Sequence, residues 1–224
     1  MSENQPPADA TGAISENQPP ADTAGAVIEN QQPAGAAGAV SENQQPADTP
    51  AENTGPLEMF TIGHSNLDRE SFIKVLTEHG IKTVVDVRNR PWSRYASQFN
   101  REILRDPLEE AGVTYIHMGD ELGGRPMGEK YYLPDSRPNF EMVAATPKYL
   151  EHIDKLIETG RAARTVIMCS EGDYQDCHRY YLITRTLAQR DIIVWHIKRN
   201  GALARTDQSN IPPAQPPLFA SASE

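Results

Sequence analysis

The chain has 224 residues, with 21 Lys+Arg against 31 Asp+Glu, 18 Pro, 15 Gly and 2 Cys, a length that suggests one domain with room for tails. Sparse Gly and Cys exclude a collagen-like or disulfide-stapled protein, and no run approaches the roughly 20 apolar residues of a membrane span. The opening Met1-Ser2-Glu3-Asn4 has neither a basic nor an apolar leader region, and both Cys lie in one chemically loaded segment, so the expectation is a cytoplasmic protein with reduced thiols and no membrane partner.

Residues 1–56 hold eight acids and no Lys or Arg, which leaves 23 acids against 21 bases, a balance of −2, in residues 57–224. The acidic character is therefore mostly that of the N-terminal segment, and it argues only weakly against a nucleic-acid partner for the remainder. Four copies of a 13-residue unit begin at Ser2, Ser15, Ile28 and Ser41. Each offers one or two aliphatic residues and no aromatic, with Pro and Gly where a helix or strand needs continuity, so residues 1–56 are expected to be a disordered tail.

From Leu57 the pattern changes. Leu57–Ile62 is a short apolar run ending at Gly63, a predicted strand. Apolar positions 67, 72, 73, 75 and 76 predict a helix closed by Gly80. The β-branched run Thr83–Val87 predicts a buried strand. A helix over Arg101–Ala111, a strand over Val113–His117 and a Gly/Pro-rich loop from Gly119 to Pro138 follow. A helix over Tyr149–Glu158, a strand over Thr165–Met168, a helix over Cys177–Arg190 and a strand over Ile192–Ile197 complete the series. Strands alternating with helices imply an α/β fold: a single three-layer domain, residues 57–200, with a mainly parallel sheet of about five strands, flanked by disordered tails.

In such sheets ligands bind beyond the carboxyl ends of the strands. Four segments there carry chemistry. In Gly63-His64-Ser65-Asn66, His64 suits an acid or base, while Ser65 and Asn66 can donate to an anion or cap the next helix. In Asp86-Val87-Arg88-Asn89-Arg90-Pro91-Trp92-Ser93-Arg94-Tyr95, guanidinium forks (Arg88 and Arg94 among them) suit phosphate, and the aromatics offer a stacking face to a base. In Gly119-Asp120-Glu121-Leu122-Gly123-Gly124-Arg125, the Gly123-Gly124 pair allows close backbone approach to a ligand and Arg125 adds an anion contact.

The fourth segment, Cys169-Ser170-Glu171 through Cys177-His178-Arg179, leaves a strand and opens a helix. Cys169 or Cys177 suits a nucleophile, with His64, His117 or His178 as base. Glu171 and Asp86 suit a carboxylate pair, and Arg179 with the backbone amides suits an anion. A metal site could draw on Cys169, Cys177, His178 and His64. The eight-residue Cys separation matches no familiar zinc spacing, so no metal ligand is assigned. No cofactor is assigned either.

These motifs in this order, Thr61-Ile62-Gly63-His64-Ser65-Asn66, Asp86-Val87-Arg88 with Pro91, Ser93 and Arg94, Leu122-Gly123-Gly124, Met168-Cys169-Ser170-Glu171 and Cys177-His178-Arg179, resemble the domain of unknown function 488 family. The resemblance covers residues 57–199 and implies a compact α/β domain with a polar cluster built from these motifs. Tyr174 stands where the family often carries Pro between the Glu and the second Cys. The strand-to-Cys loop is also similar to rhodanese and cysteine-phosphatase loops, although the Cys169–Arg179 stretch exceeds their usual short cradle.

Residues 201–224 are expected to be a flexible tail. Within it, Gln215-Pro216-Pro217-Leu218-Phe219 resembles the Gln-x-x-Leu-Phe peptide that docks on bacterial sliding clamps, with Gln215, Leu218 and Phe219 as the contact residues. The functional expectation is a protein acting on a nucleotide or nucleic acid through a polar Cys/His/Arg/Asp pocket. The alternatives are thiol-dependent sulfur or phosphoryl transfer, and a non-catalytic module recruited by a clamp.

Overall fold

The computed structural model describes residues 55–216. The repeat units, and Leu218 and Phe219 of the clamp-like peptide, lie outside the described residues. Six strands form one sheet: β1 Glu58–Gly63, β2 Thr83–Asp86, β3 Thr114–His117, β4 Thr165–Cys169, β5 Ile193–Ile197 and β6 Leu203–Thr206. Their order is β3-β2-β4-β1-β5-β6, with β6 antiparallel and the other pairs parallel. β6 is one strand more than the sequence reading places, and it falls in the segment expected to be tail. The hairpin signal was Asn200-Gly201, where Gly201 sits at φ 77° and its N–H bonds Lys198 O (2.9 Å).

The helices are α1 Arg69–Glu78, α2 Arg101–Glu110, α3 Gly119–Leu122, α4 Phe140–Ala144, α5 Pro147–Ala162 and α6 Arg185–Ala188. α1 starts later than its apolar spacing suggests, because Asp68 rather than Ser65 or Asn66 is its cap, accepting from Ser71 N at 2.7 Å. α5 is capped by Thr146 and has Pro147 in its first turn. The expected regular helix over Cys177–Arg190 instead opens as a π-helical segment, Arg179–Thr184, before α6. Among the described residues no helix is long and apolar enough to cross a membrane.

Strand periodicity divides the core in two. Phe60, Ile62, Val84, Val166 and Met168 pack with Phe72, Leu76, Leu104 and Leu108 of α1 and α2. Met59, Val85, Ile167 and Cys169 pack with Tyr149, Ile153 and Leu156 of α5 and with Tyr181, Leu182 and Leu187 of the π-helical segment and α6. Alternate residues of one strand serve opposite helix layers, which gives the expected three-layer domain.

The layers also position the site. β1 and β4 are neighbours, with Gly63 beside Cys169. β1 leads to α1 on one face and β4 leads to the π-helical segment on the other. The carboxyl edge where adjacent strands leave to opposite faces is the usual ligand position in such sheets.

Candidate functional site

The chemistry-bearing residues meet at this carboxyl edge, but they form two groups rather than the single pocket expected. His64 and Asp86 lie with the α1/α2 layer; Cys169 and Cys177 lie in the α5 layer. The reason is the strand alternation itself, which sends Met168 to one face and Cys169 to the other.

In the first group Asp86 is fully buried at the end of β2. It accepts from Arg88 Nε (2.9 Å) and Nη2 (2.6 Å), from the Arg88 backbone N–H (3.0 Å) and from Tyr115 Oη (2.6 Å). Burial, with the Asp86 charge, pushes the Tyr115 phenol well up, so it stays a donor. Arg88 also donates to Phe99 O (2.8 Å) and to His64 Nε2 (3.0 Å). Because Nε2 accepts, Nδ1 carries the proton and donates to Ser65 O (2.9 Å). His64 stacks on Phe99 with ring centroids 4.2 Å apart. Burial, reinforced by Arg88, lowers its pKa to about 4, so the imidazole is neutral near pH 7.

The second group is Cys169, Glu171, Cys177 and His178. One donor atom from each lies within 4.8 Å of all the others. Glu171 Oε2 accepts from Cys169 Sγ (2.7 Å) and Cys177 Sγ (3.2 Å), while His178 Nδ1 stands 3.7 and 3.6 Å from the same two sulfurs. Local backbone explains how adjacent residues converge: Cys177 is extended (φ −129°, ψ 145°), whereas His178 already has helical angles (φ −57°, ψ −25°). Hydrogen bonding to Cys177, then burial and the Glu171 charge, raise the Cys169 pKa. Burial opposes ionisation of Cys177, yet the hydrogen bond from Cys169 and the charges of His178 and Arg179 bring its pKa down.

Two glycines let the surrounding loops close on this cluster. A Cβ on Gly63 would overlap the Glu171 carbonyl oxygen, and a Cβ on Gly124 would sit 2.7 Å from the His178 ring. Only a bare backbone permits that approach. Asn89, which the sequence reading did not single out, holds the Gly124 loop by donating to Gly119 O (2.9 Å) and accepting from Arg125 N (2.8 Å). Gly123 packs against the Asn89 side chain. Arg179 is buried and grips the carbonyls of Glu171 (2.7 Å) and Gly172 (3.2 Å).

The remaining expected site residues make other contacts. Ser65 has a left-handed backbone (φ 46°), and its N–H bonds Ser170 O (2.9 Å). Asn66 accepts from Arg199 (2.7 Å). Arg88 and Arg179 were expected to hold ligand; the Arg88 guanidinium is engaged at all three nitrogens by Asp86, His64 and Phe99 O, and Arg179 is engaged through Nη1 and Nη2, while its buried Nε has no partner among the described residues. Arg94 and Arg125 are exposed, with the Arg94 guanidinium 4.6 Å from the Tyr95 ring centre. Trp92 is 66% and Tyr95 84% exposed.

A cavity of about 240 Å³ adjoins Cys177 and His178 and is walled by Arg137, Phe140, Tyr181 and Pro216. Sequence spacing gave no sign of these walls, since they come from a loop (Arg137), the start of α4 (Phe140), the π-helical segment (Tyr181) and the far end of the described chain (Pro216). With its amide oxygen and nitrogen assigned so that both are satisfied, Gln215 donates to Pro138 O (3.1 Å) and accepts from Phe140 N (2.8 Å), and Arg137 donates to Pro216 O (3.1 Å). The end of the described chain is thus pinned beside the cavity.

Comparison with protein-family models matches residues 68–186 to the family described as Domain of unknown function DUF488. No curated protein and no solved structure matches the chain. The family model spans more than half of the chain, so the chain belongs to that family.

Proposed function

We propose that this member of the domain of unknown function 488 family binds a nucleotide or a single-stranded nucleic acid across the carboxyl edge of its sheet. The groups at the carboxyl ends of β1 and β4 then act on the bound molecule. The observation that carries this reading is the loop leaving β2. It presents Trp92 and Tyr95 to solvent with Arg94 over the Tyr95 ring. Large exposed aromatics have no packing purpose there, while a nucleobase offers each a stacking partner. Exposed Arg90, Arg94 and Arg125 on the loops after β2 and β3 supply cations for phosphate.

Titrating full-length protein with oligo-dT, an oligoribonucleotide and mononucleotides while following tryptophan emission tests the proposal. Saturable quenching that weakens with salt and is lost in Trp92→Ala supports it. Absence of binding to every one of these ligands at low salt removes it.

Thiol-dependent sulfur or phosphoryl transfer is a second reading, favoured by Cys177 lying between the Cys169 thiol, His178 and Arg179. Its mark is a persulfide or phosphocysteine detected by intact mass after incubation with a donor. The clamp partner is likewise proposed: Gln215 has to release Pro138 and Phe140 to engage it, and Leu218→Ala/Phe219→Ala should abolish clamp capture in a pull-down.

A further inference from the structure

The Cys169–Glu171–Cys177–His178 cluster has the donor chemistry and spacing of a mononuclear metal centre. A tetrahedral ion with metal–sulfur bonds of about 2.3 Å and metal–nitrogen bonds of about 2.0–2.1 Å places sulfur and nitrogen about 3.6 Å apart. His178 Nδ1 stands 3.7 and 3.6 Å from the sulfurs of Cys169 and Cys177. The polar contacts of that ring lie on its Nδ1 side, because Nε2 is buried without a hydrogen-bond partner among the described residues.

The supports of these donors do not depend on an ion. Cys169 ends β4 in register with Gly63. Gly124 packs against the His178 ring. The Arg179 backbone N–H points to Cys177 Sγ at 3.5 Å, and its guanidinium holds the carbonyls of Glu171 and Gly172. Such outer contacts fix ligand orientation. Glu171 differs from the other three: it is exposed, and its oxygen lies closer to both sulfurs (2.7 and 3.2 Å) than the about 3.5 Å of a tetrahedral sulfur–oxygen edge. It now accepts the thiol protons, and it must step outward when an ion replaces them.

We propose that Cys169, Cys177 and His178 are the fixed ligands of one Zn²⁺-class ion and that Glu171 is its fourth, exchangeable ligand. Two thiolates select a borderline or soft ion over Mg²⁺ or Ca²⁺. Binding breaks the two S–H bonds, forms two sulfur–metal bonds and releases both protons to solvent, with no change of oxidation state. Exchange at Glu171 frees a coordination position facing solvent, where water or a substrate oxygen can be polarised.

The test uses the reduced, chelator-stripped full-length protein, titrated with Co²⁺ and then Zn²⁺. Expected are one equivalent of Co²⁺ with the visible bands of a tetrahedral site, a near-ultraviolet sulfur-to-cobalt charge-transfer band, and displacement by Zn²⁺. Cys169→Ser and Cys177→Ser should each cut that band by about half, since each removes one of the two metal–sulfur bonds. Each should also weaken affinity by more than the roughly 10–100-fold that losing a supporting residue costs. Glu171→Gln should keep the charge-transfer band and bind more weakly.

Should the serine variants fail to fold by far-ultraviolet circular dichroism, the wild-type titration alone decides. No thiolate–cobalt band and no zinc retention in reduced wild-type protein overturns the proposal, as does unchanged affinity in folded serine variants. The result is independent of oligonucleotide binding, so either proposal can fail alone. A thiol held by an ion is also withdrawn from the thiol-transfer reading.

Discussion

The His64–Asp86–Arg88–Tyr115 network and the Cys169–Glu171–Cys177–His178 cluster share one edge of the sheet and treat their polar groups in opposite ways. In the first, a carboxylate accepts from the fork of one arginine, a backbone amide and a phenol, and that arginine turns its remaining reach to Phe99 O and His64. In the second, one carboxylate oxygen serves two thiols, the imidazole approaches sulfur only at 3.6–3.7 Å, and His178 Nε2 has no partner among the described residues. A closed network rigidifies. An under-satisfied one is where an additional ligand gains most. On the proposed reading, the first is the scaffold that holds the rim and the second is the candidate metal site.

The largest effect should come from breaking the scaffold. Asp86→Asn leaves the Arg88 charge buried without its counter-ion and should cost about 3–5 kcal/mol, read as a lower urea midpoint with unchanged slope. A loss below 1 kcal/mol would erase the distinction between the two regions.

Next is the acid limb of stability. His64 has a folded pKa of about 4 against 6.5 unfolded. The unfolded chain therefore binds the proton first, and the stabilisation is full above pH 6.5 and is lost as pH falls toward 4. The shift corresponds to about 3 kcal/mol; burial drives it, Arg88 and Arg179 reinforce it, and the Ser65 hydrogen bond and the Asp86 charge oppose it. His64→Gln should flatten that limb in urea titrations at pH 4–7. A smaller effect is expected on ligand: Trp92→Ala or Tyr95→Ala should weaken oligonucleotide binding by about 1–3 kcal/mol, with melting temperature unmoved because both rings are exposed. Smallest is Glu171→Gln, which at this exposed position should change metal-free stability by less than about 0.5 kcal/mol, in contrast to the fully buried Asp86.

Much of the fold was legible because its signals are local. Thr83–Asp86 is β-branched and buried, Gly80 and Gly112 end α1 and α2 at positive φ, and Asp86 and His117 are paired strand-end neighbours. What escaped needed a partner. Leu203–Thr206 has no strand-like burial of its own and becomes a strand by pairing with β5 through the Asn200-Gly201 turn. The π-helical opening at Arg179–Thr184 leaves no mark in a 3.6-residue periodicity. Zinc spacings could not reveal the donor set, because Cys169 and Glu171 leave a strand while Cys177 and His178 enter a helix, eight residues on.

The sequence by itself determined which residue types stand at the strand ends and which family the chain resembles, since both are written in residue order. Only the tertiary structure decided how those residues divide. Pleating sent Cys169 to one face and Met168 to the other, buried Arg88 and Arg179 against protein acceptors, and brought four donors from two elements within 4.8 Å. Distances across a sheet edge depend on register and layer packing, which no stretch of sequence carries alone.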